Sequence, residues 1–112
     1  MPLKFEEYDK LCVVTLGGDF TSAEAESVRK GVEQTIDKKQ IVDFVIDCEK
    51  TGFIDSEALE TLLWMKRRCE DLFGQVKLAA LDDNCRKILE ITRLDHRFEC
   101  HSDLPSAMKT MR

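Results

Sequence analysis

The sequence predicts an α/β domain in which a mostly parallel sheet, with an antiparallel first strand, is flanked by helices. Short apolar, β-branched segments alternate with segments whose apolar residues recur every three or four positions. Only the three residues 8–10 separate the first two predicted strands, and so short a turn joins strands in antiparallel fashion. Each later strand follows a helix, and such crossovers connect parallel strands. The predicted order is ββαβαβαβα.

The first two strands are predicted at residues 3–7 and 11–16. Residues 11–16 are β-branched and apolar on both faces, which is typical of an internal strand. Residues 41–47 form the third strand and are too apolar to face water on either side. Residues 76–81 form the fourth strand, and a short fifth strand lies near residues 98–100.

Capping signals mark the helices. Thr21 and Glu24 have the spacing of a capping box, in which the side chain of each residue accepts the backbone N–H of the other. The first helix then continues to about Lys38, and one stripe of apolar residues faces the core: Ala25, Val28, Val32 and Ile36. The second helix is expected from about Ser56 to Leu72, with Gly74 as the stop signal.

Two shorter helices complete the pattern. The third is predicted at residues 83–92. The last helix begins after residues 102–105, where Pro105 lies in the first turn and so costs no helical hydrogen bond. Because 112 residues are enough for one core without disulfides or metal, we expect a single domain over residues 1–112.

Composition restricts the function. Seventeen basic residues against 22 acidic ones give a net charge of -5. A protein that binds nucleic acid without sequence preference needs a concentrated basic patch, so no nucleic-acid partner is expected. No apolar run approaches the roughly 20 residues that cross a bilayer, and residues 1–7 lack the apolar region of a signal peptide. We therefore expect a cytoplasmic protein without direct membrane insertion.

The five cysteines are odd in number and widely spaced, at Cys12, Cys48, Cys69, Cys85 and Cys100. A disulfide framework or a structural zinc site needs paired, closely spaced thiols. We therefore predict free thiols and no metal site.

Catalytic motifs are scarce. The sequence lacks the phosphate-binding glycine motifs and the G-x-S-x-G motif of hydrolases, and we interpret Gly17-Gly18 as a strand-end turn. His96 and His101 could join Cys100 as metal ligands or as a nucleophile pair, but nothing local indicates either chemistry. We expect a non-enzymatic protein without a cofactor.

One segment combines a buried strand, a short connection and the pair Asp55-Ser56 at a helix start. Asp and Ser are both preferred N-cap residues, so either could simply cap the second helix. The same placement exposes the Ser56 hydroxyl at the positive end of a helix and at the carboxyl edge of the sheet. Ligands and partners of open α/β sheets bind at this edge, and a phosphate would be stabilised there.

The whole chain resembles the STAS domain family, and within it the bacterial anti-sigma factor antagonists. The matching segments are Leu16-Gly17-Gly18-Asp19-Phe20, Val45-Ile46-Asp47, Phe53-Ile54-Asp55-Ser56-Glu57-Ala58-Leu59, Val76-Lys77-Leu78-Ala79 and Ile88-Leu89-Glu90-Ile91-Thr92-Arg93-Leu94. The resemblance implies that Ser56 is phosphorylated by an anti-sigma factor that is also a serine/threonine kinase. The unphosphorylated antagonist captures this kinase and frees the sigma factor. A phosphatase acting on phospho-Ser56 is a further implied partner.

The resemblance also implies a partner-binding surface, with residues Asp19, Thr21, Asp55, Ser56, Glu57 and Glu60. Two positions differ from the usual pattern. Ala58 replaces a common Gly, which a helix tolerates well. Thr21 falls where many phosphorylated members carry an acidic residue on the partner-facing rim.

Trp64 lies outside the apolar arc of the second helix, which comprises Ala58, Leu59, Leu62, Leu63, Met65 and Cys69. On a charged face it is either an interface anchor or covered by the C-terminal tail or a neighbouring loop. We include it among the partner-binding residues. The leading functional prediction is a phosphorylation-switched anti-sigma factor antagonist. The alternative is a STAS scaffold of a stress-signalling assembly or a small cytosolic accessory subunit of a membrane transporter.

Overall fold

In the computed structural model, which describes residues 3–111, five strands form one sheet whose spatial order is their order along the chain. The strands are β1 (Lys4–Tyr8), β2 (Leu11–Thr15), β3 (Asp43–Asp47), β4 (Gln75–Ala79) and β5 (Glu99–His101). The helices are α1 (Ser22–Lys39), α2 (Ser56–Glu70), α3 (Asp83–Ile91) and α4 (Leu104–Lys109). The ends of the expected 1–112 domain, Met1, Pro2 and Arg112, lie outside the described residues.

Strand pairing confirms the predicted fold class and element order. β1 is antiparallel to β2, while β2, β3, β4 and β5 pair in parallel. In the parallel part, Leu11 lies opposite Asp43, which in turn lies opposite Gln75, so these strands begin at the same level. Their carboxyl ends, and the loops that follow them, therefore share one edge of the sheet.

The helices are distributed unequally over the two faces of the sheet. Right-handed crossovers that always step in one direction place their helices on one face, and the larger core cluster joins alternate strand residues to α1, α2 and α3. On the other face, Ala107 of α4 packs against Leu11, Val45 and Ala79. One face of the sheet is thus packed against three helices, and the other face against one short helix.

The first helix forms as its sequence predicts. The Thr21 side chain accepts the Ala23 N–H, and Glu24 accepts the Thr21 N–H at 3.2 Å, which completes the capping box. The predicted stripe of Ala25, Val28, Val32 and Ile36 is buried.

The end of α2 differs from the prediction. The helix ends at Glu70 instead of Leu72, and the residue in the left-handed conformation is Phe73, with φ 66°. Gly74 is required for a different reason, because a Cβ atom there would lie 2.0 Å from the Val42 carbonyl oxygen. The glycine therefore permits close approach of two chain segments and does not itself supply the left-handed turn.

On the α4 face, Lys77 is buried with 6% of its surface exposed. Its ammonium group donates to the Thr110 hydroxyl at 2.7 Å and pairs with the Glu99 carboxylate at 2.8 Å. Glu99 also contacts the His101 ring nitrogen at 2.6 Å. This network ties β4, β5 and the end of α4 together. β5 begins one residue later than predicted, at Glu99, and Phe98 just before it packs into the core.

Candidate functional site

The N-termini of α1 and α2 lie side by side at the carboxyl edge of the sheet. Phe20 and Ile54 form an isolated parallel bridge. The Phe20 N–H donates to the Phe53 carbonyl at 2.9 Å, and the Asp55 N–H donates to the Phe20 carbonyl at 3.0 Å. These bonds extend the pairing of β2 and β3 up to the first residues of the two helices.

A single carboxylate, that of Asp55, serves both helix starts. Its Oδ1 accepts the Ala58 N–H of α2 at 2.8 Å, and its Oδ2 accepts the Ser22 N–H of α1 at 2.8 Å. Helix N-termini leave N–H groups without partners inside the helix, and a carboxylate there also interacts favourably with the macrodipole. Asp55 is therefore the N-cap of α2, which decides between the two candidates that the sequence offered.

Ser56 is the first residue of α2 and is exposed. Within residues 3–111 its hydroxyl makes no hydrogen bond, since Asp55 already supplies the cap. Glu57 and Glu60 are exposed on the same end of α2. The hydroxyl is thus accessible to a second protein and contributes little to the fold.

The loop before α2 is held by side-chain hydrogen bonds to its neighbours. The Thr51 hydroxyl donates to the Gly18 carbonyl at 2.9 Å, and the Gly52 N–H donates to the Asp19 carboxylate at 3.1 Å. From the start of α3, the Asn84 amide donates to the Gly52 carbonyl at 2.6 Å. Asp19, predicted as a partner-binding residue, is exposed and also fixes the loop that carries Ser56.

Thr21 lies beside this loop and is half-buried. Its hydroxyl donates to Glu24 at 3.0 Å while accepting the Ala23 N–H. The structure therefore gives Thr21 a capping function at α1, next to the Asp55 contact with Ser22.

Trp64 lies further along α2, half-buried and packed against the core. Residues of α1 lie against the ring, in place of the C-terminal tail or loop that one of the two sequence-based alternatives invoked. The Arg29 guanidinium lies 5.2 Å from the ring centroid, and its Nε donates to the Thr61 hydroxyl at 3.3 Å. The ring borders an open groove of about 420 Å³ that is also lined by Glu26, Lys30, Glu33 and Gln34.

Phe53, three residues before Ser56, is an exposed residue of this surface that the sequence did not predict. Its neighbour Ile54 is 2% exposed, whereas Phe53 is 46% exposed. The available signal was the adjacent pair itself, because successive side chains of an extended segment point to opposite sides. Only one of the two apolar residues can then face the core.

The cysteines and histidines do not converge on a site in the described part of the chain. All five cysteines are free thiols, and four of them are buried. His101 contacts Glu99, and His96 is 3.5 Å from Asp95. Among residues 3–111, no group of three His, Cys, Asp or Glu side chains is arranged to hold a metal ion.

Comparison with known proteins supports the resemblance noted in the sequence. Residues 3–107 match the family model of the STAS domain. The chain belongs to the STAS domain family. The architecture that the sequence predicted, with an antiparallel first strand on an otherwise parallel sheet, is the one found here.

Three solved structures illustrate the range of proteins that share this fold. An anti-sigma factor antagonist from Mycobacterium paratuberculosis has a TM-score of 0.85 at 21% identity, over 99% of this chain and 93% of that chain. The phosphorylated form of the Bacillus cell fate determinant SpoIIAA has a TM-score of 0.79 at 19% identity, over 99% and 100%. A sulfate transporter family protein from Wolinella succinogenes has a TM-score of 0.83 at 12% identity, over 95% and 88%.

These matches include anti-sigma factor antagonists and a sulfate transporter family protein with the same fold. At such identities the likeness establishes the fold alone. In the described part of this STAS domain, no helix is long and apolar enough to cross a membrane.

Proposed function

We propose that this STAS domain is an anti-sigma factor antagonist that captures an anti-sigma factor with serine kinase activity and is released when Ser56 is phosphorylated. The proposal rests on one observation, that capping and exposure fall on two different residues at the start of α2. Asp55 makes the capping hydrogen bonds, and the adjacent Ser56 hydroxyl is exposed. A kinase can therefore modify this hydroxyl without removing a contact of the fold.

The physical basis of the switch is that a phosphate on Ser56 changes the stability of the fold little but weakens the interface strongly. Phosphorylation adds about -1.5 to -2 charges at a helix N-terminus, where the macrodipole favours negative charge. Asp55, Glu57 and Glu60 oppose it, so we expect the fold to survive with a change in stability of about 1 kcal/mol in either direction. Across an interface shaped for a neutral hydroxyl, the same charge must be desolvated, which costs several kcal/mol.

The proposed partner surface comprises the residues around Ser56. Glu57 and Glu60 are exposed beside it, and Asp55, Asp19 and Thr21 border it from the adjoining loop and helix start. Trp64 would extend the contact along α2, where its ring edge borders the groove under Arg29. Tryptophan in such a position is typical of a binding hot spot.

In this proposal the protein acts in the cytoplasm. There the partners would be the anti-sigma factor kinase and a phosphatase acting on phospho-Ser56. The net charge of -5 supports protein partners over nucleic acid.

In the test, each variant is titrated calorimetrically with the purified anti-sigma factor kinase proposed as the partner. We expect Ser56→Asp to lower the affinity at least tenfold, which corresponds to about 1.4 kcal/mol, with a native circular-dichroism spectrum. Ser56→Ala should bind like the wild type and resist release by ATP. The matched control is Ser27→Asp, at an exposed serine of α1, which should bind normally.

A phosphorylation assay with mass spectrometric mapping completes the test. The proposal requires the kinase to label Ser56 in the wild type. If Ser56→Asp binds as tightly as the wild type, and the label falls on another residue or on none, Ser56 is no switch and the proposal is wrong.

A second candidate function is an accessory subunit of a membrane transporter or a scaffold of a stress-signalling assembly. The fold is compatible with this role, because a sulfate transporter family protein shares it at a TM-score of 0.83. Affinity capture from a native extract that includes solubilised membranes separates the two candidates. Recovery of a small kinase supports the antagonist, whereas recovery of transporter subunits in its place supports the accessory role.

A further inference from the structure

We propose that Phe53 is the apolar anchor of the Ser56 surface, and that the partner binds it in an apolar pocket framed by basic side chains. The inference rests on the proposed function, because it takes the surface around Ser56 as the one that a kinase partner contacts.

The exposure of Phe53 is the first observation. Its side chain is 46% exposed, although its neighbours Thr51 and Ile54 are nearly fully buried. A single exposed aromatic residue is common on protein surfaces and is not evidence by itself. What distinguishes Phe53 is its position, three residues before an exposed serine whose hydroxyl makes no hydrogen bond in the described chain.

The second observation is that the backbone around Phe53 is fixed. The Phe53 carbonyl accepts the Phe20 N–H, and hydrogen bonds from Thr51 and Asn84 fix the residues immediately before it. Binding through a side chain on a preordered loop costs little conformational entropy, so its apolar contact contributes more to affinity. Aromatic residues in such positions dominate many interfaces.

The charges around Phe53 indicate the chemistry of the partner. A methyl group placed on Gly52 would lie 3.4 Å from the Asp19 carboxylate and 3.8 Å from that of Asp82. On the Ser56 side, Asp55 and the exposed Glu57 add two further carboxylates. An exposed aromatic residue whose chain neighbours lie beside these carboxylates fits a pocket lined by apolar residues and rimmed by lysine or arginine. The same charges disfavour an anionic lipid surface.

The experiment compares Phe53→Ala with Phe73→Ala in calorimetric titrations against the same purified anti-sigma factor kinase. Phe73 is the matched control because it is 98% exposed and precedes β4, at the opposite edge of the sheet. We expect Phe53→Ala to weaken binding at least tenfold and Phe73→Ala to leave it within about twofold. Phe53→Leu keeps an apolar side chain and should recover most of the affinity.

Salt provides an independent readout of the basic rim. The association rate of the wild type should fall steeply as ionic strength rises, because complementary charges accelerate encounter only when they are unscreened. A salt-independent rate contradicts the basic rim.

The outcomes separate this inference from the proposed function. If Phe53→Ala binds like the wild type while Ser56→Asp is weakened, the anchor is wrong and the switch stands. Equal losses in Phe53→Ala and Phe73→Ala also overturn the anchor. If the wild type neither binds the kinase nor is phosphorylated by it, both proposals fail.

Discussion

Asp55 and Ser56 are adjacent and chemically similar as capping residues, yet the backbone gives them different tasks. The Asp55 side chain reaches between two helices because the Phe20–Ile54 bridge brings both helix starts together. Each of its oxygens accepts one N–H that would otherwise lack a partner. Ser56, one residue further, is already inside the helix, and its side chain extends from the surface.

Removing these two side chains should therefore have unequal effects on stability. Asp55→Ala leaves the Ser22 and Ala58 N–H groups without their carboxylate, so we expect a loss of about 2 kcal/mol in the free energy of unfolding. Ser56→Ala should change it by no more than about 0.5 kcal/mol. Urea denaturation of both variants measures the difference. Ser27→Ala is the control for an exposed helical serine, and equal losses at positions 55 and 56 would contradict the assignment of the cap.

At the scale of the elements, the attachment of β5 and α4 depends on charged groups. Lys77 of β4 is buried, and its ammonium group contacts Glu99 of β5 and Thr110 at the end of α4. Hydrogen bonds from Lys77 and His101 lower the pKa of the Glu99 carboxyl below its ordinary value. We therefore expect this edge of the sheet to lose some stability in acid.

The sign of this sensitivity follows from the direction of the shift. A carboxyl whose pKa is lower in the folded state stabilises the protein above its unfolded pKa of about 4.3. That contribution is lost as the pH falls through the lower folded value. We expect the stability of the wild type to fall more steeply than that of Glu99→Gln below about pH 5. The difference should be small, because Glu99 is about half exposed.

Chemical denaturation at a series of pH values tests this prediction, with Glu90→Gln on α3 as the control for an exposed glutamate. Parallel curves for the wild type and Glu99→Gln would show that the network contributes nothing to acid stability.

The sequence predicted the elements well where their signals are local. The capping box at Thr21 and the apolar stripe of α1 depend only on spacing within one helix, and both were confirmed. The role of Gly74 was predicted less well because it depends on a distant segment. Gly74 is constrained by the Val42 carbonyl, and no pattern near Gly74 contains that information.

The candidate site shows the same limit. The sequence placed Asp55 and Ser56 at a helix start, but it could not decide which one caps, since that depends on where Ser22 lies. The cover of Trp64 by Arg29 is likewise a contact between two helices. The exposure of Phe53 depends on which member of the apolar pair 53–54 faces the core. The sequence could not show that Ile54 is the one that packs into the core.

At the scale of the whole molecule, the thiols are distributed through the core instead of being gathered at a site. Burial raises the pKa of Cys12 to about 11 and those of Cys69 and Cys85 to about 12, and it also raises that of Cys48. Since the thiolate is the reactive form, these groups are protected from alkylation in the folded protein. Cys100 is exposed as a residue, yet partial desolvation of its thiol raises its pKa as well.

We predict that iodoacetamide at about pH 8 modifies the native protein at Cys100 only and slowly, while all five thiols react after denaturation. Mass measurement without reductant should give the mass of the fully reduced chain, and Cys100→Ser should bind the kinase normally. A stoichiometric disulfide or rapid modification of a core thiol would show that the cysteines have another role.

The one-directional order of the sheet also bears on how the protein is made. Because neighbours in space are neighbours in sequence, each strand that leaves the ribosome can pair with the strand completed just before it, and no strand waits for a distant partner. The α1–α3 face can thus assemble progressively during synthesis. The opposite face, with Leu11, Val45 and Ala79, is covered only when the final helix emerges. The nascent chain therefore carries one temporarily uncovered apolar surface until translation of this segment is complete.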